Sequence, residues 1–218
     1  MKLSEQTLTV LKNFASINSG VVLQKGNVQK SISAEQTILI EAKLEDTFPE
    51  SFGIYDLNEF LGNVTTLKNP EMTFSDKTVV MDDGDIQLTY NACSPGTIVS
   101  PPQGKELTLK NVDISFNLTN NILTKLLRLA AMNKLSNLTV IGKNGELRLQ
   151  MHEKSNDTSN FASTKIDSYT GNDFSVSFKA ENLRLIPDDY NVEIAIGGFA
   201  KFVNKTGNLT YFIALEKK

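Results

Sequence analysis

The feature that most limits what this chain can fold into is a repeated order of elements. Ser4 is placed to cap a helix running to about Ser16, with Val10, Leu11 and Phe14 on one side. Thr119 is placed to cap a second helix running to about Asn133, with Leu123, Leu126, Leu127 and Ala130 as its apolar side. A strand, a tight turn and a strand follow each helix. In the first half these are VVLQ–KGN–VQKSIS, then TILIEAKL; in the second they are LTVI–GKNG–ELRLQMH. Gly-Asn and Asn-Gly between alternating apolar residues signal hairpins. Each half next runs a strand into a short helix, in FGIYDLNEFLGNV and FSVSFKAENLRLIP. Asp56 can cap the first of these, with Glu59 at the capping-box position, and Pro187 is expected to end the second. Both halves close on strands around a turn, DDGDIQLTYNAC and KTGNLTYFIAL, which share the string LTY at 88–90 and 209–211. One order of elements at an offset of about 115–123 positions predicts an internal duplication.

Between the halves lies SPGTIVSPPQGK, where prolines and glycines exclude a helix or a central strand. The expected division is therefore an N-terminal domain over 1–93, a connector over 94–110 and a C-terminal domain over 111–218. A length of 218 residues allows two domains of about a hundred residues each.

Charge and residue usage remove several function classes. The single cysteine, Cys93, rules out an intramolecular disulfide. The opening MKLSEQTLTV lacks the apolar run of a signal peptide, and no stretch of about 18 apolar residues is available to span a membrane. The expectation is a soluble intracellular protein. A net charge of −3 argues against holding DNA by broad charge neutralisation, but not against surrounding it without gripping.

Reactive chemistry has little to stand on. His152 is the only histidine, so no second one can join it as metal ligand or relay. Cys93 reads as a small buried hydrophobe rather than a nucleophile. GKNGE has the glycines of a phosphate loop but no following Lys-Ser/Thr, and reads as a hairpin turn. MDDGDIQ lacks the spaced acids and terminal glutamate of a calcium loop, and PDDY at 187–190 is a turn. No catalytic residue, metal site or cofactor is expected. Two rival readings stay in view: an oligomeric virion or scaffold protein, and a carboxylate-dependent hydrolase.

Three strings carry a more specific indication: MKLS at 1–4, LKNFASINSG at 11–20 and YDLNEFLG at 55–62. In wording and order they resemble the DNA polymerase sliding clamps, or processivity factors, of large tailed, myovirus-type bacteriophages. The resemblance implies an α+β fold of two repeated domains, with outer antiparallel sheets and helices lining a central hole. It implies a homotrimer closed head to tail around double-stranded DNA, encircled without sequence specificity and without enzymatic activity. It further implies an ATP-driven clamp loader, docking of the replicative polymerase through a C-terminal peptide, use of the ring by late-transcription factors, and residence in the cytoplasm of the infected host.

Under that resemblance the hole-lining helices need a weakly cationic polar face. Lys125 and Arg128 share one side of the second long helix with Asn121, opposite the leucines. Lys12 shares a side of the first with Thr9 and Ser16, joined by Glu5. Lys68 and Lys134 follow helices, and Lys179 and Arg184 flank or sit on the last short one. These seven cations are the expected DNA-facing set. Modest charge suits a sliding ring, because phosphate contacts attract without reading bases. By analogy with the family, the peptide pocket is expected at Ile98 and Val99 in the connector with Tyr211, Phe212 and Leu215 in the last strand.

Overall fold

The computed structural model describes the chain except for Gln103, Lys105, Glu106, Asp157 and Lys218. The first three lie in the stretch read as a connector, so that reading falls partly outside the described residues. Contacts divide the chain into two compact units, Met1–Lys105 and Glu106–Lys218.

The first unit runs α1 (Glu5–Ile17), β1 (Val21–Leu23), β2 (Gly26–Ile32), β3 (Ile38–Phe48), β4 (Phe52–Ile54), α2 (Leu57–Thr66), β5 (Glu71–Phe74), β6 (Thr78–Asp82) and β7 (Gln87–Asn91). The second runs β8 (Ile114–Leu118), α3 (Asn120–Asn133), β9 (Asn137–Lys143), β10 (Glu146–His152), β11 (Ala162–Ser168), β12 (Phe174–Lys179), a 3-10 turn (Ala180–Asn182), β13 (Tyr190–Ile194), β14 (Phe199–Asn204) and β15 (Leu209–Ala214). After its long helix each unit thus has four strands, a short helical piece and three strands.

Each helix starts where a short polar side chain can accept a free N–H. Ser4 Oγ accepts from Thr7 N at 3.1 Å, Asp56 Oδ1 from Glu59 N at 3.0 Å, and Thr119 Oγ1 from Ile122 N at 3.4 Å. The buried stripes follow the helical period: Val10, Leu11, Phe14 and Ile17 on α1, Leu57, Phe60, Leu61 and Val64 on α2, and Leu123, Leu126 and Ala130 on α3.

Every strand pairing described within a unit is antiparallel. In the first unit β1 pairs β4, β2 pairs β3, and β5-β6-β7 form a meander. In the second, one sheet runs β11-β10-β9-β12 and another joins β8, β13, β14 and β15 in the order β8-β13-β14-β15. The β9–β10 hairpin turns on Asn144 and Gly145, both at positive φ, as a two-residue turn between antiparallel strands requires.

Two expectations fail locally. The β1–β2 hairpin does not form a ladder. The side chain of Gln29, fully buried, occupies the junction instead: its Oε1 accepts from Gln24 N at 2.7 Å and its Nε2 donates to the carbonyls of Gln24 and Gly26. A buried carboxamide has taken the backbone groups that a hairpin would pair. The second short helix shrinks to the 3-10 turn Ala180–Asn182, well before Pro187. Beyond it Ile186 N donates to the Tyr211 hydroxyl at 3.0 Å, and the Tyr190 hydroxyl donates to Ile186 O. Pro187 also disfavours helical backbone at Ile186. Burial raises the pKa of both tyrosines, which keeps both hydroxyls protonated, Tyr190 as donor to Ile186 and Tyr211 as acceptor from it.

Candidate functional site

The cleanest cationic face belongs to α3. Its buried stripe fixes the rotation of the helix, and Asp189 Oδ1, accepting from Asn120 N at 2.7 Å, fixes its start. Asn121, Lys125 and Arg128 are consequently exposed, three and four residues apart. No acidic residue occurs from Asn120 to Asn133. Lys134 caps the helix in the left-handed region (φ 55°), at the negative end of the helix dipole. No ion pair among the described residues involves Lys125, Arg128 or Lys134.

The other expected cations sit in different surroundings. Lys12 is exposed on α1 beside Thr9 and Ser16. Lys68 follows α2 at positive φ and borders a depression that also holds Asp82, Asp83 and Asp85. There the N–H groups of Ile86 and Asp85 hold the Asp83 carboxyl below its ordinary range, and Lys68 adds to the effect. Lys179 is the last residue of β12 and pairs with Glu181 at 3.5 Å, while Arg184 Nε donates to Glu181 O at 3.0 Å. Neither sits on a helix of any length. Within the second unit, then, the structure brings Lys125 and Arg128 onto one helix face with Lys134 at its end, and leaves Lys179 and Arg184 beside an acid.

The expected peptide-pocket residues also divide. Tyr211 and Phe212 are buried, Tyr211 completely, with Phe212 edge-on to Phe199 at 5.8 Å between ring centres. They are core and cannot present side chains to a ligand. Ile98 is half-buried, and exposed Val99 offers its carbonyl to Asn18 Nδ2 at 3.0 Å. Leu215 does reach a groove, of about 710 Å³, in the second unit. Ile141 and Val176 from β9 and β12 and Ile196 from the β13–β14 turn supply its apolar lining, while Thr139, His152 and Ser177 supply polar atoms. Sequence reasoning missed these, because alternation along a strand shows which residues share a face, not which face is hollow.

Sheet edges differ in a way that bears on assembly. The β5 edge is covered by the N-terminus: Met72 N donates to Met1 O at 2.8 Å and the Met1 ammonium donates to Met72 O at 2.6 Å. The β12 edge is strapped by the C-terminal segment, where Glu216 N donates to Ser177 O at 2.8 Å. β7 and β11, at the opposite edges of the same sheets, have strand partners on one side only among the described residues. Exposed apolar side chains flank both. Ile86 precedes β7, and Tyr55 adjoins Asp56, whose carbonyl accepts the Tyr90 hydroxyl. Phe161 precedes β11, and the Asn160–Asn133 hydrogen bond ties that end to α3, where Met132 is 80% exposed and Leu129 41%.

The remaining motifs are structural. Among the described residues no group of three His, Cys, Asp or Glu side chains could hold a metal ion, and no helix is long and apolar enough to cross a membrane. In the 82–85 turn the carboxylates bond the backbone: Asp82 Oδ1 accepts from Gly84 N and Asp83 Oδ1 from Ile86 N, both at 2.8 Å. Cys93 is half-buried, its N–H donating to Gly53 O at 2.9 Å.

Residues 2–100 match the family model described as DNA polymerase processivity factor. The chain is 30% identical to the sliding clamp of Vibrio phage KVP40, over 99% of both chains. It is 29% identical to that of Enterobacteria phage T4, over 99% of this chain and 97% of the relative. Its fold is similar to that of A. fulgidus PCNA, with a TM-score of 0.68 at 14% identity, covering 97% of this chain and 95% of that one. A two-unit α+β chain with this repeat, without enzymatic machinery in its family and matched end to end by phage clamps, belongs to the sliding-clamp family of DNA polymerase processivity factors.

Proposed function

We propose that copies of this chain close into a head-to-tail homotrimeric ring around double-stranded DNA and tether the replicative polymerase of a phage in the cytoplasm of its bacterial host. The observation that carries the ring is the pair of uncovered edges, β7 in one unit and β11 in the other, each flanked by exposed apolar side chains. Two unlike edges joined between copies make a heterologous contact, which closes into a ring when the rotation fits. Joining also satisfies the free N–H and C=O groups of both strands.

The acid-free face of α3 supports a DNA-facing role for Lys125, Arg128 and Lys134. Lys12 lends weaker support from α1, and Lys68, Lys179 and Arg184 less still, because acids offset them. Such a face attracts phosphates yet fixes no register, so retention on DNA comes from topology. We assign the polymerase tail to the Leu215 groove, and the family resemblance adds an ATP-driven loader and late-transcription factors as users of the same ring. The test is retention on circular DNA. Clamps loaded on a nicked circle by the phage's own loader should stay bound through gel filtration and be lost on linearisation. Equal loss from circular and linear DNA would remove the encircling mechanism.

A further inference from the structure

The Leu215 groove contains a polar device that its apolar walls do not require. His152, at the end of β10, is half-buried, and its Nε2 lies 2.7 Å from Thr139 Oγ1. Thr139, 4% exposed on β9, lies in turn 2.7 Å from Ser177 Oγ on β12. This chain of two hydroxyls spans three neighbouring strands and fixes the plane of the imidazole at the groove wall. It works in either direction: Thr139 can accept from an Nε2–H and donate to Ser177, or donate to a bare Nε2 and accept from Ser177. Charging the ring therefore breaks no hydrogen bond, and the consequence of protonation falls on whatever occupies the groove.

The charges around the imidazole favour an anionic occupant. From its own strand and beyond come Gln150, uncharged, and Lys154. β9 and β12 contribute only Thr139, Ile141, Ser175, Val176 and Ser177 to the lining, and the β13–β14 turn only Ile196 and Gly197. The C-terminal segment brings Glu216 and Lys217. The Glu216 carboxylate is already engaged: Oε2 accepts from the buried Asn137 Nδ2 at 2.6 Å and lies 4.0 Å from Lys154 Nζ. Among the described residues, two lysines against one bound carboxylate leave the groove cationic, and protonating His152 makes it more so. Histidine is the side chain whose charge ordinarily changes between pH 5 and 8.

We propose that this groove takes an acidic peptide segment and that His152 sets a pH dependence on the docking, with affinity rising as pH falls. The proposal rests on the reading of the groove as the polymerase-tail site and adds its chemistry: apolar side chains against Ile141, Val176, Ile196 and Leu215, and at least one Asp or Glu facing His152. A neutral apolar segment would show the opposite sign, because a charged imidazole beside it loses hydration without a partner.

The probe is a synthetic peptide of the C-terminal residues of the replicative polymerase encoded with this chain. Its binding is measured by fluorescence anisotropy from pH 8 to pH 5.5. The expected result is a five- to tenfold tightening, the change that a shift of roughly one pKa unit on binding produces. His152→Gln should flatten the profile whatever its affinity at pH 8, and replacing the peptide's acids with amides should flatten it too. Because the chain has one histidine, its imidazole Cε1–H resonance is unambiguous and gives a second measurement on the unaltered protein. It should titrate at higher pH when the peptide is bound. A flat or inverted profile, with binding still abolished by Leu215→Asp, overturns the role of His152 and leaves the docking site standing. Binding that survives Leu215→Asp overturns both.

Discussion

Reversing charge on α3 separates a DNA-facing surface from an ordinary solvated helix face. Lys125→Glu with Arg128→Glu changes the exposed face from two positive charges to two negative ones, on a helix that otherwise carries no acid. Both residues are exposed and lie outside the buried stripe of Leu123, Leu126 and Ala130 that holds the helix down. Folding stability should therefore move by no more than about 0.5 kcal/mol, as for other exposed sites. The effect on DNA should be larger. Each phosphate neutralised contributes about 0.9 to the slope of log affinity against log salt, so losing two per copy lowers that slope by about 1.8. A fourfold rise in salt would then weaken the unaltered clamp by about tenfold more than the variant, per copy engaged. The assay is loader-dependent retention on nicked circular DNA between 50 and 200 mM salt, with trimer mass and polymerase-tail binding as controls that should not change. Equal retention and equal slope for the two proteins, with the trimer intact, would show that α3 does not face DNA.

Three other perturbations test separate parts of the account. Met132→Lys with Phe161→Asp charges the apolar flank of β11; it should shift assembly toward monomer by at least tenfold in dissociation constant while each chain stays folded, read by sedimentation velocity. Tyr211→Phe removes the acceptor of the Ile186 N–H and should cost about 1–3 kcal/mol in urea unfolding, with a loss under 0.5 kcal/mol refuting the role given to that hydroxyl. Hydrogen bonds from Ser155 and then Ser136 lower the Glu153 carboxyl from its ordinary 4.5 to about 2. Its contribution to stability is present above pH 4.5 and is lost as pH falls through about 2, so Glu153→Gln should flatten part of the decline in thermal midpoint across that window.

Much of the fold was legible because the signals were local. Ser4, Asp56 and Thr119 are caps whose side chains reach N–H groups three residues on, and Asn144-Gly145 is a turn that only residues tolerant of positive φ can make. The failures came from distant side chains. Nothing near residues 21–32 announces that Gln29 will be buried and will take the backbone groups of Gln24 and Gly26. Nothing in AENLRLIP announces that Tyr190 and Tyr211 will bind the backbone of Ile186 and leave a 3-10 turn where a helix was expected. The candidate site divides in the same way. Lys125 and Arg128 follow from helical periodicity alone, whereas the acids beside Lys68 and Lys179 sit at a strand end and in turns, where no helical period places them. The groove was reached only at Leu215, because Tyr211 and Phe212 fall inside a strand whose burial is set by tertiary packing. The open edges β7 and β11 needed the pairing itself, since what distinguishes them is that Met1 and Glu216 cover the other two.

A ring made of unlike edges has a defined mass in solution. Light scattering on a sizing column, from tens of micromolar to well below one micromolar, should give about three times the 24.1 kDa chain at the upper end and a fall on dilution. A monomer at every concentration, or a dimer that does not change with dilution, would contradict head-to-tail closure and with it the topological grip on DNA.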